Sequence, residues 1–362
     1  MREVVIGIDI GGTFTKYGII DKDGHCLKEN FTSTDKYSDF EIYLENLQTE
    51  IEETISSINE SIEIKAIGIG APNGNYYKGT IEDAPNLNWK GVIPFVERIK
   101  THYPGIPVVL TNDANAAALG EMIYGGAKGM KDFIVITLGT GLGSGIVVNG
   151  DIVYGHDGFA GELGHINVKH RGRECGCGKS GCLETYVSAT GIKRTVFKLL
   201  SERITDTELR NYSYEDLTSI MISEAAKKGD KIALEAFEIT GRILGVKLAD
   251  AVSCTSPEAI FLFGGLTKAG NILLEPTRKY MEENLFPIYR GKIKLLISNL
   301  HETNAAVLGA SAPEQIVTTL KMYSNCSDPV IRKRTADILK AQLTKDITSD
   351  LRKKIEDELK VY

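Results

Sequence analysis

Two pairs of short apolar segments, each joined by a turn dense in glycine, constrain this chain more than any other feature. Val4 to Ile10 and Lys16 to Ile20 read as strands around Gly11-Gly12, and Asp21-Lys22-Asp23-Gly24 ends the second with turn residues. Phe133 to Leu138 and Ile146 to Val148 repeat the plan around the run Thr137-Leu138-Gly139-Thr140-Gly141-Leu142-Gly143-Ser144-Gly145. That many glycines cost backbone entropy, so packing alone does not account for the second turn. Glycine lets a backbone approach phosphate closely. In the first turn Thr13 adds a hydroxyl donor, and Asp9 adds a carboxylate able to hold Mg²⁺ directly or through water. Taken alone, the first turn is equally well a tight hairpin connection. Together, two such hairpins can clamp phosphates from two sides. A chain of 362 residues is long enough for two lobes with a cleft between them, the usual place for a ligand.

The intervening pattern is α/β. Residues 39–60 carry apolar side chains at helical spacing, and Ile64 to Ile69 and Val108 to Leu110 read as short buried strands. An Ala-rich run after Asn112-Asp113 predicts a helix to Met122. Residues 187–255 are mainly helical with a polar interruption near 205–215, and Ala259 to Phe263 is a strand ending in Gly264-Gly265. That glycine pair suits the adenosine of a nucleotide and is also an ordinary turn. Beyond Asn304 an apolar helix leads into a charged amphipathic tail, residues 328–362, expected to be helical and peripheral.

Two familiar nucleotide motifs are excluded. A dinucleotide-binding frame starting at Gly139 needs glycine at 144 and meets Ser144, in a segment joining strand to strand. Gly178-Lys179-Ser180 imitates the end of a Walker A loop, but Arg173 stands where that loop needs its first glycine. The net charge of -6 with scattered basic residues leaves no footprint for nucleic acid or an anionic membrane. No eighteen apolar residues run together, and Met1 to Ile10 passes straight into a strand, so a soluble, cytoplasmic protein is expected.

Asn112-Asp113 stands where a buried strand turns into a helix. Asp113 there can accept the proton of an attacking hydroxyl, although Asn-Asp before a helix is also an ordinary N-cap. Glu162, His165 and Glu184 supply the acceptors and donors that would grip ring hydroxyls, while each alone passes for a surface residue. Of six cysteines, Cys175, Cys177 and Cys182 crowd together, and Cys26, Cys254 and Cys326 stand apart, the wrong distribution for a disulfide framework. Three thiolates with His165 make the ligand set of a closed tetrahedral, structural Zn²⁺ site. The second imidazole nitrogen then remains for a partner or a substrate.

These residues resemble the ROK sugar kinases, among them the bacterial glucokinases, from about Val4 to Ala312. The resemblance rests on Asp9-x-Gly11-Gly12-Thr13-x-x-Lys16, Pro85-Asn86-Leu87-x-Trp89, Asn112-Asp113-Ala114-Asn115-x-Ala117-Ala118-x-Gly120-Glu121 and the Thr137 to Gly145 loop. Ala160-Gly161-Glu162-x-Gly164-His165 and Cys175-x-Cys177-Gly178-x-x-Gly181-Cys182-x-Glu184 complete it. It implies the actin-like ATPase fold, of the ribonuclease H-like and hexokinase kind, with two α/β lobes closing over ATP and sugar. The smaller lobe is expected to comprise residues 1–111 plus about 303–362, and the larger residues 112–302 with a zinc knuckle at 165–184.

By matching position, Asp113 resembles the catalytic base, and Asn86, Asn112, Glu162, His165 and Glu184 resemble sugar ligands. His165, Cys175, Cys177 and Cys182 resemble the zinc site. Asp9, Gly11, Gly12, Thr13, Lys16, Gly139, Thr140, Gly141, Gly264 and Gly265 are expected along MgATP. The resemblance further implies a homodimer or homotetramer and a hexose substrate, glucose first, with mannose, fructose and N-acetylhexosamines as alternatives. Phe14 and Ser144 depart from the family pattern, and Ala71-Pro72-Asn73-Gly74-Asn75-Tyr76 replaces its Gly-Pro-Gly beside the sugar pocket. Sugar-responsive repressors of the family need a winged helix-turn-helix ahead of the first hairpin. Only eight residues precede Asp9, so no DNA-reading module is expected. A noncatalytic sensor would have no use for the Asp113 base.

Overall fold

The first hairpin is made of β1 (Arg2–Ile10) and β2 (Phe14–Asp21), paired antiparallel so that Asp9 lies opposite Lys16. In this computed structural model, which describes residues 1–300 apart from Lys22, β1 buries Val4, Ile6, Ile8 and Ile10. A polar strand that the apolar pattern does not reveal, β3 (Cys26–Ser33), adds to the outer edge of β2. The helix α1 (Phe40–Ser56) starts at Asp39, whose Oδ1 accepts from the amides of Glu41 and Ile42. Tyr43, Leu44, Leu47 and Ile51 form its buried stripe. The strands β4 (Ile62–Ala71) and β8 (Val108–Asn112) complete a sheet in the order β3-β2-β1-β4-β8, with β1, β4 and β8 parallel. Between β4 and β8 lie a small sheet of β5 (Gly74–Asn75), β6 (Thr80–Glu82) and β7 (Val92–Ile93), and the helix α2 (Phe95–His102).

The second half repeats this plan. After α3 (Asp113–Tyr124), the strands β9 (Phe133–Leu138) and β10 (Leu142–Val148) form the second hairpin, with β11 (Asp151–Ile152) on its edge. The helices α4 (Ala189–Glu202), α5 (Ser219–Lys227) and α6 (Lys231–Thr255) precede β12 (Ala259–Phe263), and α7 (Asn271–Asn284) precedes β13 (Lys294–Ile297). The sheet order is β11-β10-β9-β12-β13, with β9, β12 and β13 parallel. Each half is thus an antiparallel pair followed by parallel strands, and each has its own apolar core. The tail and the helix expected after Asn304, and with them the 303–362 share of the smaller lobe, lie outside the described residues.

The alanine-rich α3 lies between the two sheets. A Cβ placed on Gly70 of β4 would stand 3.1 Å from the Ala116 methyl, and one on Gly145 of β10 would stand 2.6 Å from the Ala114 carbonyl. Gly143 meets the Ala114 methyl in the same way, at 2.9 Å. Small residues on helix and strands alike let both sheets approach one helix. Packing therefore accounts for Gly143 and Gly145, against the expectation that the second turn's glycines answer to phosphate. Gly139, by contrast, faces open space.

Candidate active site

Asp113 opens α3 directly after β8, so its position is fixed by a parallel strand on one side and a buried helix on the other. The capping ambiguity resolves in part. Asn112 is the N-cap, its Oδ1 accepting from the Ala114 amide at 2.8 Å. Asp113 Oδ1 accepts from the same amide at 2.9 Å, which holds the carboxyl still and leaves Oδ2 without a partner in that cap. Burial raises the Asp113 carboxyl above its ordinary value, with the bond to Ala114 opposing the shift.

The first hairpin turn is closed by the Gly11 amide donating to the Phe14 carbonyl at 3.0 Å. A Cβ on Gly12 would lie 2.7 Å from the carbonyl of Asn86, so this turn rests against the segment that Leu87 and Trp89 anchor in the first core. Asn86 itself is exposed at that rim. The Asp9 carboxyl is pushed up to about 7 by burial, then by the neighbouring Asp113, with Lys16 across the hairpin opposing both. Gly70 separates the two acids: a Cβ there would stand 3.5 Å from Asp113 Cα and 3.8 Å from Asp9 Oδ1.

In the second turn the Thr137 hydroxyl accepts from the Gly143 amide at 3.1 Å, and Thr140 is exposed. Gly264 follows β12 so closely against β9 that a Cβ would lie 2.7 Å from the Leu138 carbonyl. Gly264-Gly265 and Gly139 to Gly141 therefore stand side by side.

Glu184 touches the same turn from the other direction, its Oε2 accepting from the Leu142 amide at 3.4 Å. Glu162 is exposed in the cleft. Partial desolvation nonetheless raises its carboxyl above the ordinary value, an effect that His165 opposes and Asp113 and Glu184 reinforce. The charges of His165, Asp113 and Glu184 thus all reach Glu162. Burial of the backbone around Glu184 depends on Arg173, whose Nη1 donates to the carbonyls of Thr185 and Gly191 and whose Nη2 donates to Thr195 Oγ1. Its guanidinium also lies 4.5 Å over the Tyr186 ring. In the sequence Arg173 shows only as a mismatch to a Walker loop. A lone arginine among loop residues gives no local signal of carbonyl partners that lie on a later helix.

The four zinc candidates converge. One ligand atom from each of His165, Cys175, Cys177 and Cys182 lies within 4.8 Å of all the others. Cys177 Sγ and Cys182 Sγ are 3.8 Å apart, and Cys175 Sγ is 3.7 Å from His165 Nδ1. Thiolates about 2.3 Å from Zn²⁺ at tetrahedral corners stand roughly 3.8 Å from each other, so the donor set and its spacing fit the ion. With Nδ1 turned toward the sulfurs, Nε2 is the imidazole nitrogen left for another contact.

The family model for the ROK family matches residues 5–314. The chain belongs to the ROK family. A relative called glucokinase, from Halalkalibacterium halodurans, is 34% identical over 308 residues, 84% of this chain and 92% of its own length. A glucokinase from Streptomyces coelicolor is 36% identical over 281 residues, 76% of this chain and 86% of its own. The crystal structure of a ROK family glucokinase from Streptomyces griseus, in complex with glucose and AMPPNP, superposes with a TM-score of 0.71 at 33% identity, covering 85% of this chain and 98% of that one. The fold is the two-lobed, actin-like fold of the ROK kinases, as the residues and the repeated sheet plan require. Among the described residues no helix is long and apolar enough to cross a membrane.

Proposed function

We propose that this chain transfers the γ-phosphoryl group of ATP to the primary hydroxyl of a hexose, and that the hexose is glucose. One observation carries the reading: Asp113 stands at the strand-helix junction between two glycine hairpins, with Asp9 on one side and the Glu162, His165 and Glu184 group on the other. Relatives called glucokinases, matched over most of their length, support both the reaction and the sugar. The Streptomyces griseus complex with glucose and AMPPNP supports the pairing of a hexose with an adenine nucleotide.

In this reading Glu162, His165 Nε2, Glu184, Asn112 and Asn86 hold the sugar, and the hydroxyl to be phosphorylated faces Asp113. The Asp113 carboxylate accepts the hydroxyl proton as the oxygen bonds to the γ-phosphorus. The bond from that phosphorus to the bridging oxygen breaks, ADP leaves with the electron pair, and Asp113 later returns the proton to water. The backbone of Gly11-Gly12-Thr13 and of Gly139-Thr140-Gly141 lines the phosphates, Lys16 faces them, and Gly264-Gly265 lies along the adenosine. Mg²⁺, which neutralises charge on the transferring phosphates, would be held by Asp9 directly or through water. Zn²⁺, which would be held by His165, Cys175, Cys177 and Cys182, would be structural and would keep His165 in place beside Glu184. A homodimer or homotetramer, measurable by light scattering, belongs to the same reading.

Release of ADP from MgATP, followed with glucose, mannose, fructose and N-acetylhexosamines in parallel, tests substrate and reaction together. Glucose is expected to give the highest kcat/KM, and ADP release with none of these sugars would reject the kinase reading. Asp113→Asn is expected to keep the sugar KM within about threefold and to lower kcat by about 10²–10⁴-fold. Wild-type turnover in that variant would remove Asp113 from the chemistry.

A further inference from the structure

Ser144 breaks the glycine run of the second hairpin, and its surroundings give the reason. Side chains alternate along β10, so Gly143 and Gly145 face α3 while Leu142, Ser144 and Ile146 face the core of the second half. Ser144 is 7% exposed. Its hydroxyl donates to the carbonyl of Gly161 and accepts from the amide of Leu163 at 3.1 Å. Those two groups flank Glu162. They are also bonded to each other, the Leu163 amide donating to the Gly161 carbonyl at 2.7 Å. Glu162 between them has φ -72° and ψ 57°, the centre of an inverse γ-turn. A hydroxyl offers one donor and two lone pairs, and here the donor and one lone pair grip both ends of a three-residue turn. Two residues past Leu163 comes His165.

From this geometry we infer that Ser144 is a positioning residue for sugar recognition: it fixes the turn that presents Glu162, from the same strand whose opening turn faces the nucleotide. The inference rests on the reading of Glu162 as a sugar ligand. Without the hydroxyl, the turn keeps only its internal bond, and Glu162 must be ordered at the moment of binding, which weakens the sugar complex. The nucleotide turn, closed by Thr137 and Gly143, keeps its own bond.

The test compares Ser144→Ala, Ser144→Gly and Glu162→Gln in the full chain, measuring KM for glucose, KM for MgATP, kcat and melting temperature. Both Ser144 variants are expected to raise the glucose KM about tenfold, with the MgATP KM within about twofold and kcat within about threefold. Agreement between alanine and glycine ties the loss to the hydroxyl rather than to side-chain volume. A merely structural role would lower the active fraction, and hence kcat, without moving the glucose KM. An unchanged glucose KM in Ser144→Ala, or an equal rise in both KM values, overturns the inference. If Glu162→Gln raises the glucose KM while Ser144→Ala does not, the positioning role fails and the sugar site stands. If Glu162→Gln also leaves it unmoved, the assignment of Glu162 fails and takes this inference with it.

Discussion

Asp9 and Asp113 are two carboxyls drawn into one cleft, each raised first by burial, and Asp9 further by Asp113. The sense of the Asp9 shift gives a stability prediction. Its carboxyl moves from an ordinary 3.8 to about 7 on folding, so between those values the folded chain keeps a proton that the unfolded chain has released. Stability therefore falls as pH rises through that window and stays reduced above it, by up to roughly 4 kcal/mol. Asp9→Asn is expected to melt higher than the parent at pH 8 and alike at pH 3.5. Equal melting temperatures at pH 8 would show that burial at Asp9 carries no such penalty. Mg²⁺ held by Asp9, as proposed above, would favour the ionised form, so the same variant is expected to lose the parent's stabilisation by MgATP. Asp9 and Asp113 stand out in the sequence only in combination, because a carboxylate next to a glycine turn also suits a plain hairpin and an Asn-Asp at a helix start also suits an N-cap. Ser144 was visible only as an interruption, since the groups it holds, at Gly161 and Leu163, are separated from it by a loop of the chain.

Among the elements, the knuckle between residues 165 and 184 contains no regular helix or strand beyond two short 3-10 turns. Ile166, Val168 and Leu183 pack its ends on the second core, but residues 169–181 carry no apolar side chain besides the cysteines, so the order of that loop is expected to depend on the ion. Elemental analysis should find one zinc per chain. Cys177→Ser, or a strong chelator at neutral pH, should remove it and lower both melting temperature and activity. A metal-free chain with parental melting temperature and full turnover would exclude a structural zinc. The cysteine spacing made this site readable, because soft ligands close in sequence are rarely close by accident. Helix α3 was readable as a helix from its alanines, but its place between two sheets was not: propensity and close packing both favour alanine, and only Gly70, Gly143 and Gly145 opposite it separate the two causes. The polar β3 was missed because one face of it carries Lys28 and Asn30 rather than an apolar alternation.

For the molecule as a whole, the repeated hairpins announced two similar halves, while the way the halves meet depends on pairs far apart in sequence. Among the described residues, the segment after β4 joins α3 in making that contact. Asn75 Nδ2 donates to the Asp157 carbonyl at 2.9 Å, Tyr77 Oη donates to the Gly155 carbonyl at 2.7 Å, and the Tyr76 ring stacks on Tyr154 with centroids 4.1 Å apart and planes 6° from parallel. This is the stretch that departs from the family's Gly-Pro-Gly beside the sugar pocket, and its partner leads directly into the Gly161 to His165 turn. The stack therefore ties the β4 side of the cleft to the segment carrying Glu162. Stacked aromatic pairs contribute about 0.5–1.5 kcal/mol beyond their buried area. A double-mutant cycle of Tyr76→Ala and Tyr154→Ala, read by denaturant unfolding, should show a coupling of about that size. Each single variant should also raise the glucose KM, because the binding-competent arrangement becomes a smaller share of the free protein. Strict additivity in unfolding, with the glucose KM unmoved in both single variants, would mean that the Tyr76–Tyr154 stack does not couple the two halves.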